Sequence, residues 1–135
     1  MDDIFVARIM STDVYTVAPD TLVEDAAQRM LAEEIGSVVV VGTDNDVLGI
    51  LTSTDFVQIV AEREPKDQTP VSRYMSTGVI TTDAQATIAE TAAVMTDHGF
   101  HHLPVVDDEE GVVGMLSTTD LATYLSEAEI VGEAD

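Results

Sequence analysis

The stretch GMLSTTD at residues 114–120 repeats a stretch that stands 65 residues earlier, GILTSTD at residues 49–55. Each copy joins a glycine and an apolar pair to a cluster of hydroxyl side chains, and each ends in an aspartate. When residues 6–60 are laid over residues 71–125 without a gap, 16 of the 55 pairs are identical. The chain therefore contains two copies of one structural unit.

Two helix-start signals stand in each copy. The first is a Thr-x-x-Glu capping box that is followed by apolar residues at helical spacing. The second is a pair of hydroxyl residues before an aspartate, which predicts an N-cap and the first turn of a second helix. The signals lie at Thr21–Glu24 and Ser53-Thr54 in the first copy, and at Thr87–Glu90 and Thr118-Thr119 in the second.

Between these helix signals each copy carries two short apolar runs. SVVVV at 37–41 and LPVV at 103–106 are typical of buried strands because they are rich in β-branched residues. Acidic turns lead from them into VLGIL and VVGML, which predict antiparallel partner strands. With a further strand before the first helix, each copy is expected to run strand, helix, strand, strand, helix. This order predicts an α+β fold.

The charge balance is extreme, with 26 Asp and Glu against 5 Lys and Arg and a formal net charge of -21. An apolar content of 45% is too high for a disordered acidic segment. In molar salt the Debye length falls to about 3 Å and the self-repulsion is screened. The composition therefore favours a halophilic protein of a haloarchaeon, with an acidic mesophilic protein as the alternative. Nucleic acid and anionic membranes are excluded as partners, because no basic patch could neutralise phosphates.

Length and composition also limit the class of protein. A chain of 135 residues is long enough for a sizeable core, and the absence of cysteine excludes disulfides, thiolate metal sites and cysteine nucleophiles. The start, MDDIFVARIM, has acids where a secretory signal has bases, and no apolar run reaches the length of about 18 residues that spans a membrane. We therefore expect a soluble, cytoplasmic protein.

Taken together, these motifs resemble the CBS domain, which is named for cystathionine β-synthase. The resemblance is carried by Met-Ser at the front of each copy, by TLVEDAAQRM in the first helix, and by the phrase Gly-apolar-apolar-[TS]-x-[ST]-Asp at the end. It implies an α+β fold of two tandem β-α-β-β-α repeats related by a pseudo-twofold axis, an arrangement called a Bateman module. The expected boundaries are repeat 1 at 4–61, a linker at 62–70 broken by Pro65 and Pro70, repeat 2 at 71–127, and an acidic C-terminal tail at 128–135.

Members of this family often bind adenosine ligands, namely AMP, ADP, ATP or S-adenosylmethionine. A carboxylate can accept hydrogen bonds from both ribose hydroxyls, while hydroxyls and free amides at a helix N-terminus favour phosphate. By resemblance, ribose would be held by Asp55 and Asp120, and phosphate would face Thr52, Thr54, Ser117 and Thr119. The adenine border and the remaining contacts would come from Val14, Thr16, Ser37, Val79, Thr81, His101, His102 and Pro104. The alternative is that the two aspartates and their hydroxyl neighbours only cap helices.

All three histidines stand in HGFHH at 98–102. By resemblance, His101 and His102 would meet phosphate, whereas the first copy has Gly36 and Ser37 in those places and lacks a proline equivalent to Pro104. A metal site and a plain loop are the alternatives. The metal geometry is unfavourable because Gly99 is expected to end the helix.

No P-loop, G-x-G-x-x-G or H-E-x-x-H motif is present, so we predict no enzyme, no cofactor and no metal. Two functions remain open. One is a regulatory module that senses an adenosine ligand and acts on an unknown client protein. The other is a structural module that only dimerises. In either case we expect a homodimer formed by apolar residues of the second helix of each copy, namely Phe56, Ile59, Leu121 and Leu125.

Overall fold

The computed structural model describes residues 4–62 and 68–134, so most of the predicted linker, at 63–67, and Asp135 lie outside the described residues. Each copy begins with a short helical turn and then follows the predicted order of strand, helix, strand, strand and helix. In the first copy the elements are α1 Val6–Ile9, β1 Thr16–Val17, α2 Val23–Glu33, β2 Ser37–Val41, β3 Val47–Thr52 and α3 Ser53–Ala61. The second copy has a 3-10 turn at Val71–Arg73, β4 Thr82–Asp83, α4 Ile88–His98, β5 His102–Asp107, β6 Gly111–Ser117 and α5 Thr118–Ala134. The predicted α+β class with two tandem repeats is confirmed.

Each copy forms a three-stranded sheet with its β-branched run in the centre. The orders are β1-β2-β3 and β4-β5-β6. The first pair of strands in each sheet is parallel, and the second pair is antiparallel. The antiparallel registers place Ser37 opposite Thr52 and His102 opposite Ser117. The central strand of each sheet is covered on both faces, which explains why its sequence is a continuous apolar run.

The compact units in space differ from the copies in sequence. One unit is Val14–Val79, and the other combines the segment up to Asp13 with the chain from Ile80 onward. The opening segment of each copy therefore belongs to the unit of the other copy's sheet. Ser11 pairs with Met115 through two backbone hydrogen bonds of 2.9 Å, and Ser76 pairs with Ile50 through bonds of 3.1 and 2.9 Å.

Each unit has its own apolar core. The core of the Val14–Val79 unit is built from residues of α2, β2, β3, α3 and the segment after the linker: Val23, Ala26, Met30, Val38, Val40, Leu51, Ile59 and Val71. The core of the second unit contains Val6, Met95, Leu103, Val105 and Leu116. Val6 and Val71 are equivalent in sequence and are both fully buried, each beneath the sheet of the other copy.

The glycine of the repeated phrase makes this exchange possible. A Cβ added at Gly114 would lie 2.8 Å from the sulfur of Met10 and 2.9 Å from the carbonyl oxygen of Ser11. A Cβ added at Gly49 would lie 2.7 Å from the sulfur of Met75 and 2.8 Å from the carbonyl oxygen of Ser76. The leading Met-Ser of one copy thus packs directly on the glycine of the other, where only glycine leaves room.

One of the two predicted Thr-x-x-Glu caps is wrong. Helix α2 begins after Leu22, and the Thr21 hydroxyl instead accepts a hydrogen bond from the backbone N–H of Ala18 at 3.1 Å, within a turn. Thr87 does cap α4, because its hydroxyl accepts from the backbone N–H of Glu90 at 3.2 Å. Helices α2 and α4 start at equivalent residues, Val23 and Ile88. The Thr21 motif, however, begins one residue earlier in its copy than the Thr87 motif does in the other, so Thr21 does not reach the N-cap position.

The last helix continues through most of the segment predicted as an acidic tail, since α5 runs to Ala134. This extension is consistent with the Ala and Glu residues there, which favour helix. No helix among the described residues is long and apolar enough to cross a membrane.

The residues proposed for a dimer interface are mostly internal. Phe56 and Leu121 pack against the two cores, and Ile59 is buried. Among the side chains that the structure describes, the large apolar residues of α3 and α5 that are exposed are instead Val57 at 69%, Val60 at 77% and Leu125 at 62% of their full exposure.

Candidate functional site

Each sheet ends at a strand-to-helix corner that gathers predicted site residues. We call the first corner Ser37 with Thr52–Asp55, and the second corner His101-His102 with Ser117–Asp120. In each unit the central strand begins beside the end of its antiparallel partner, where the following helix starts. The parallel strand enters near the same end, which brings Val14 and Thr16 toward the first corner and Thr81 toward the second.

The two aspartates occupy the same geometry. Asp55 accepts a hydrogen bond at Oδ2 from the backbone N–H of Thr52 at 2.8 Å, and Asp120 accepts one at Oδ2 from the backbone N–H of Ser117 at 2.8 Å. Both carboxylates are half-buried at a helix N-terminus, where the helix dipole favours a negative charge. Among the residues that the structure describes, no hydrogen bond engages Oδ1 of either carboxylate. That oxygen retains acceptor capacity for a ligand.

The caps lie one residue earlier than predicted. Thr52, not Ser53 or Thr54, is the N-cap of α3 and forms a capping box with Asp55. In the second copy the Ser117 hydroxyl accepts from the backbone N–H of Asp120 at 3.1 Å, which completes the reciprocal box. The prediction failed because a run of three hydroxyl residues offers three candidate caps, and only the last residue of the strand has the required extended backbone. Thr54 and Thr119 are exposed in the first turn.

Backbone contacts that the sequence did not reveal hold each corner together. The N–H of Ser53 donates to the carbonyl of Gly36 at 3.1 Å, and the N–H of Thr118 donates to the carbonyl of His101 at 3.0 Å. These bonds tie the first residue of the helix to the residue before the central strand. Only the register between the strands could have predicted them.

The second corner differs from the first in its two imidazoles. His101 is exposed and His102 is half-buried. Burial lowers the pKa of His102 below its usual value, His101 lowers it further, and the Asp120 carboxylate opposes both effects. Because the pKa of His102 lies below its usual value, the neutral form of the imidazole predominates at pH 7, and a neutral imidazole offers hydrogen bonding rather than positive charge.

The third histidine, His98, makes its ring contact with a residue outside the second corner. His98 ends α4, and its ring stacks on Phe100 with centroids 5.6 Å apart. Gly99 follows in the left-handed conformation at φ 68° and ends the helix as predicted. No group of three potential metal-ligating side chains lies together within the described part of the chain.

Two predicted contacts are placed differently from the rest. Val79 is the last residue of the Val14–Val79 unit, whereas the second corner lies in the other unit. Pro104 is fully buried in the middle of β5, opposite Met115, so its ring presents no surface to a ligand without movement. Ligand contact by these two residues stays a prediction.

Tyr15 stands between Val14 and Thr16 and was not among the predicted site residues. Its hydroxyl donates to Oε2 of Glu33 at 2.9 Å, and the guanidinium of Arg29 lies 4.9 Å from its ring centroid. Arg29 is also within 3.9 Å of Glu33. Arg29, one of the few cations of the chain, thus interacts with Glu33 on the same helix and with Tyr15 just before β1.

A family profile for the CBS domain matches residues 6–62 and again residues 71–127. The chain belongs to the CBS domain family. The two matched segments together account for most of the chain, and both corners of this CBS pair fall inside them.

Relatives of this CBS pair include proteins of different length. An uncharacterized 17.7 kDa protein of Acidianus ambivalens is 32% identical over 120 residues, which cover 89% of this chain and 72% of that protein. A homoserine O-acetyltransferase of Methanohalophilus mahii is 30% identical over 120 residues, which cover 89% of this chain but only 24% of the enzyme. The chain therefore corresponds to one part of that longer enzyme.

Among solved structures, the CBS domain pair of protein MJ0100 is similar with a TM-score of 0.85, covering 94% of this chain and 99% of that one. That pair was solved in complex with 5′-methylthioadenosine and S-adenosyl-L-methionine. The two sequences are 23% identical, so the likeness shows a shared fold.

Proposed function

We propose that this CBS pair is a regulatory module that binds an adenosine-type ligand, such as AMP, ADP, ATP or S-adenosylmethionine, at its corners. The observation that carries the proposal is the recurrence of a half-buried aspartate, with one carboxylate oxygen held by the cap and the other open, at the same place in both copies. Such a carboxylate suits a ribose diol, which offers two adjacent donors. A solved CBS pair with bound 5′-methylthioadenosine and S-adenosyl-L-methionine supports this ligand class.

The module would signal through its own assembly or by docking on a client protein in the cytoplasm, and it would have no catalytic step of its own. The match to part of a homoserine O-acetyltransferase supports a regulatory role, because the same unit there accompanies an enzyme. The second candidate is a structural module that dimerises without a ligand. The Asp-based caps favour it, since the two aspartates already stabilise helix starts.

A thermal-shift screen separates the two candidates. AMP, ADP, ATP, S-adenosylmethionine, 5′-methylthioadenosine and NAD would be tested in molar potassium chloride. A ligand at 100 times its dissociation constant adds about 2.7 kcal/mol of stability to a protein that binds it only when folded. We expect at least one compound to raise the Tm of the wild type and to leave the Asp55→Ala/Asp120→Ala variant unchanged. If no compound raises the Tm of the wild type, the structural candidate replaces the regulatory one.

A further inference from the structure

The two corners share their aspartate and cap but differ in the residues that precede the central strand. Gly36 and Ser37 place no titratable side chain at the first corner, whereas His101 and His102 place two imidazoles at the second. His102 opens β5 directly opposite Ser117, the residue that caps α5 with Asp120. The N–H of Thr118 donates to the carbonyl of His101 at 3.0 Å. The backbones of both histidines therefore lie beside the start of α5, and the imidazole of His102 is close enough to the Asp120 carboxylate to interact with it electrostatically.

An anionic ligand needs a cation or several free donors at its phosphate. Neither aspartate pairs with an arginine among the described residues, and Arg29 is occupied by Glu33 and Tyr15. With a formal net charge of -21, the surrounding field also opposes an anion. With only the hydroxyls and amides of the helix start as donors and no cation beside them, both corners at neutral pH suit an adenosyl compound whose 5′ substituent is uncharged or cationic, such as a thioether or a sulfonium, better than a phosphate.

We propose that the histidine pair sets the ligand class of the second corner: with neutral imidazoles it takes an uncharged or cationic adenosyl compound, and with protonated imidazoles it accepts a 5′-phosphate. The first corner lacks these side chains. Its preference for an uncharged or cationic adenosyl compound is therefore the same at every pH. This inference rests on the proposed function, because it assumes that Asp120 holds a ribose.

The groups that act on His102 are few. His101 on the same strand lowers its pKa together with burial, and Asp120 on α5 raises it. The facing residue of β6 is Ser117, which carries no charge. A bound phosphate would add a negative charge beside both rings, so phosphate binding and proton uptake would reinforce each other.

Calorimetry with a matched ligand pair tests the proposal. AMP and 5′-methylthioadenosine share the adenosine and differ in the 5′ substituent, and the Asp55→Ala background would silence the first corner. In that background we expect the affinity for AMP to rise at least about tenfold between pH 7.5 and 5.5, a range that brackets the ordinary histidine pKa. The affinity for 5′-methylthioadenosine should stay within about twofold over the same range.

The phosphate of AMP itself titrates near pH 6, so the deciding comparison is between proteins. His101→Gly/His102→Ser copies the first corner onto the second and should abolish the extra gain in AMP affinity on acidification, whereas the affinity for 5′-methylthioadenosine should be independent of pH in both proteins. The converse variant, Gly36→His/Ser37→His with Asp120→Ala, should confer that gain on the first corner. His102→Gln keeps a side chain of similar size and serves if the double variant unfolds.

The proposal is overturned if AMP affinity gains as much on acidification without the histidines as with them, or if AMP binds the second corner as tightly at pH 7.5 as at pH 5.5. If neither compound binds the wild type at any pH, the proposed function itself fails. Those two failures are distinct, because 5′-methylthioadenosine binding at pH 7.5 reports on the function alone.

Discussion

The carboxylate of Asp120 accepts a hydrogen bond from the backbone N–H of Ser117 at 2.8 Å, and the hydroxyl of Ser117 accepts one from the N–H of Asp120 at 3.1 Å. The pair caps α5, and the proposed function assigns the same carboxylate to the ribose of the ligand. Asp55 and Thr52 form the same box in the first copy. Under the proposed function the capping carboxylate is also the ligand-binding carboxylate, so substitutions must separate the two roles.

Asp120→Ala should lower the free energy of unfolding by about 1 kcal/mol, because the N–H of Ser117 loses its carboxylate acceptor while the Ser117 hydroxyl still caps α5. It should also remove about 1.5–3 kcal/mol of adenosyl binding at that corner, the scale of hydrogen bonds to a charged group. Denaturant titration and calorimetry in molar salt measure the two effects. Ser117→Ala is the control, since it weakens the cap but keeps the carboxylate. Equal losses of binding in both variants would show that Asp120 acts only through the helix.

Gly114→Ala should destabilise the protein by about 1–3 kcal/mol, since the new methyl group would meet both a side chain and a carbonyl oxygen. The sulfur of Met10 could move away, whereas the carbonyl of Ser11 is held by a bond of 2.9 Å to the N–H of Met115. Met10→Ala should therefore fail to rescue Gly114→Ala in thermal melts. Gly42→Ala is the control, because its Cβ would meet only the end of the Leu48 side chain, at 3.2 Å. Full rescue by Met10→Ala would contradict the close backbone approach.

Lowering potassium chloride from molar to about 0.1 M should lower the Tm, because the Debye length grows from about 3 to 10 Å and self-repulsion returns. The ion pair between Arg29 and Glu33, at 3.9 Å on the surface, offsets little of this repulsion. Replacing the salt by sucrose at low ionic strength controls for general exclusion from the protein surface. A Tm that is independent of salt would rule out the halophile hypothesis.

The predicted homodimer should be seen by light scattering in high salt as twice the chain mass of 14.4 kDa. Its contacts should involve Val60 and Leu125, which occupy equivalent places in the two copies and are 77% and 62% exposed. Val60→Asp/Leu125→Asp should yield monomers. Leu31→Asp, at a residue of α2 that is 80% exposed, should not. A wild type that scatters only as a monomer would refute the dimer.

Stability should depend on pH through His102. Its pKa is lowered in the folded protein, so the unfolded chain binds the proton more readily. The contribution of His102 to stability should therefore be constant above about pH 6.5 and should fall as the pH drops toward the folded pKa. His102→Ser, which introduces the residue of the first corner, should remove this part of the pH dependence in denaturant titrations. The same slope below pH 6.5 in both proteins would show that His102 titrates as an ordinary exposed histidine.

Most of the corner residues could be predicted from the sequence, because Asp55 and Asp120 end a phrase that occurs twice in register. The predicted caps lie one residue late, since hydroxyl type alone does not say which residue keeps an extended backbone. Phe56 and Leu121, predicted as surface residues, pack against the cores. Apolar residues of a short helix do not show which of them face the core until the sheet beneath is in place.

By itself, the sequence determined the two copies, the order of helices and strands, and the apolar central strands, because each of these depends on local pattern and on a repeat that can be counted. Only the tertiary structure decided which partner each opening segment takes. Met10 and Met75 are identical, as are Gly49 and Gly114, so pairing within a copy and pairing across copies look the same in sequence. The structure seats Met10 on Gly114 and Met75 on Gly49. Long-range packing and chain connectivity select between two locally equivalent partners, and neither leaves a local mark in the sequence.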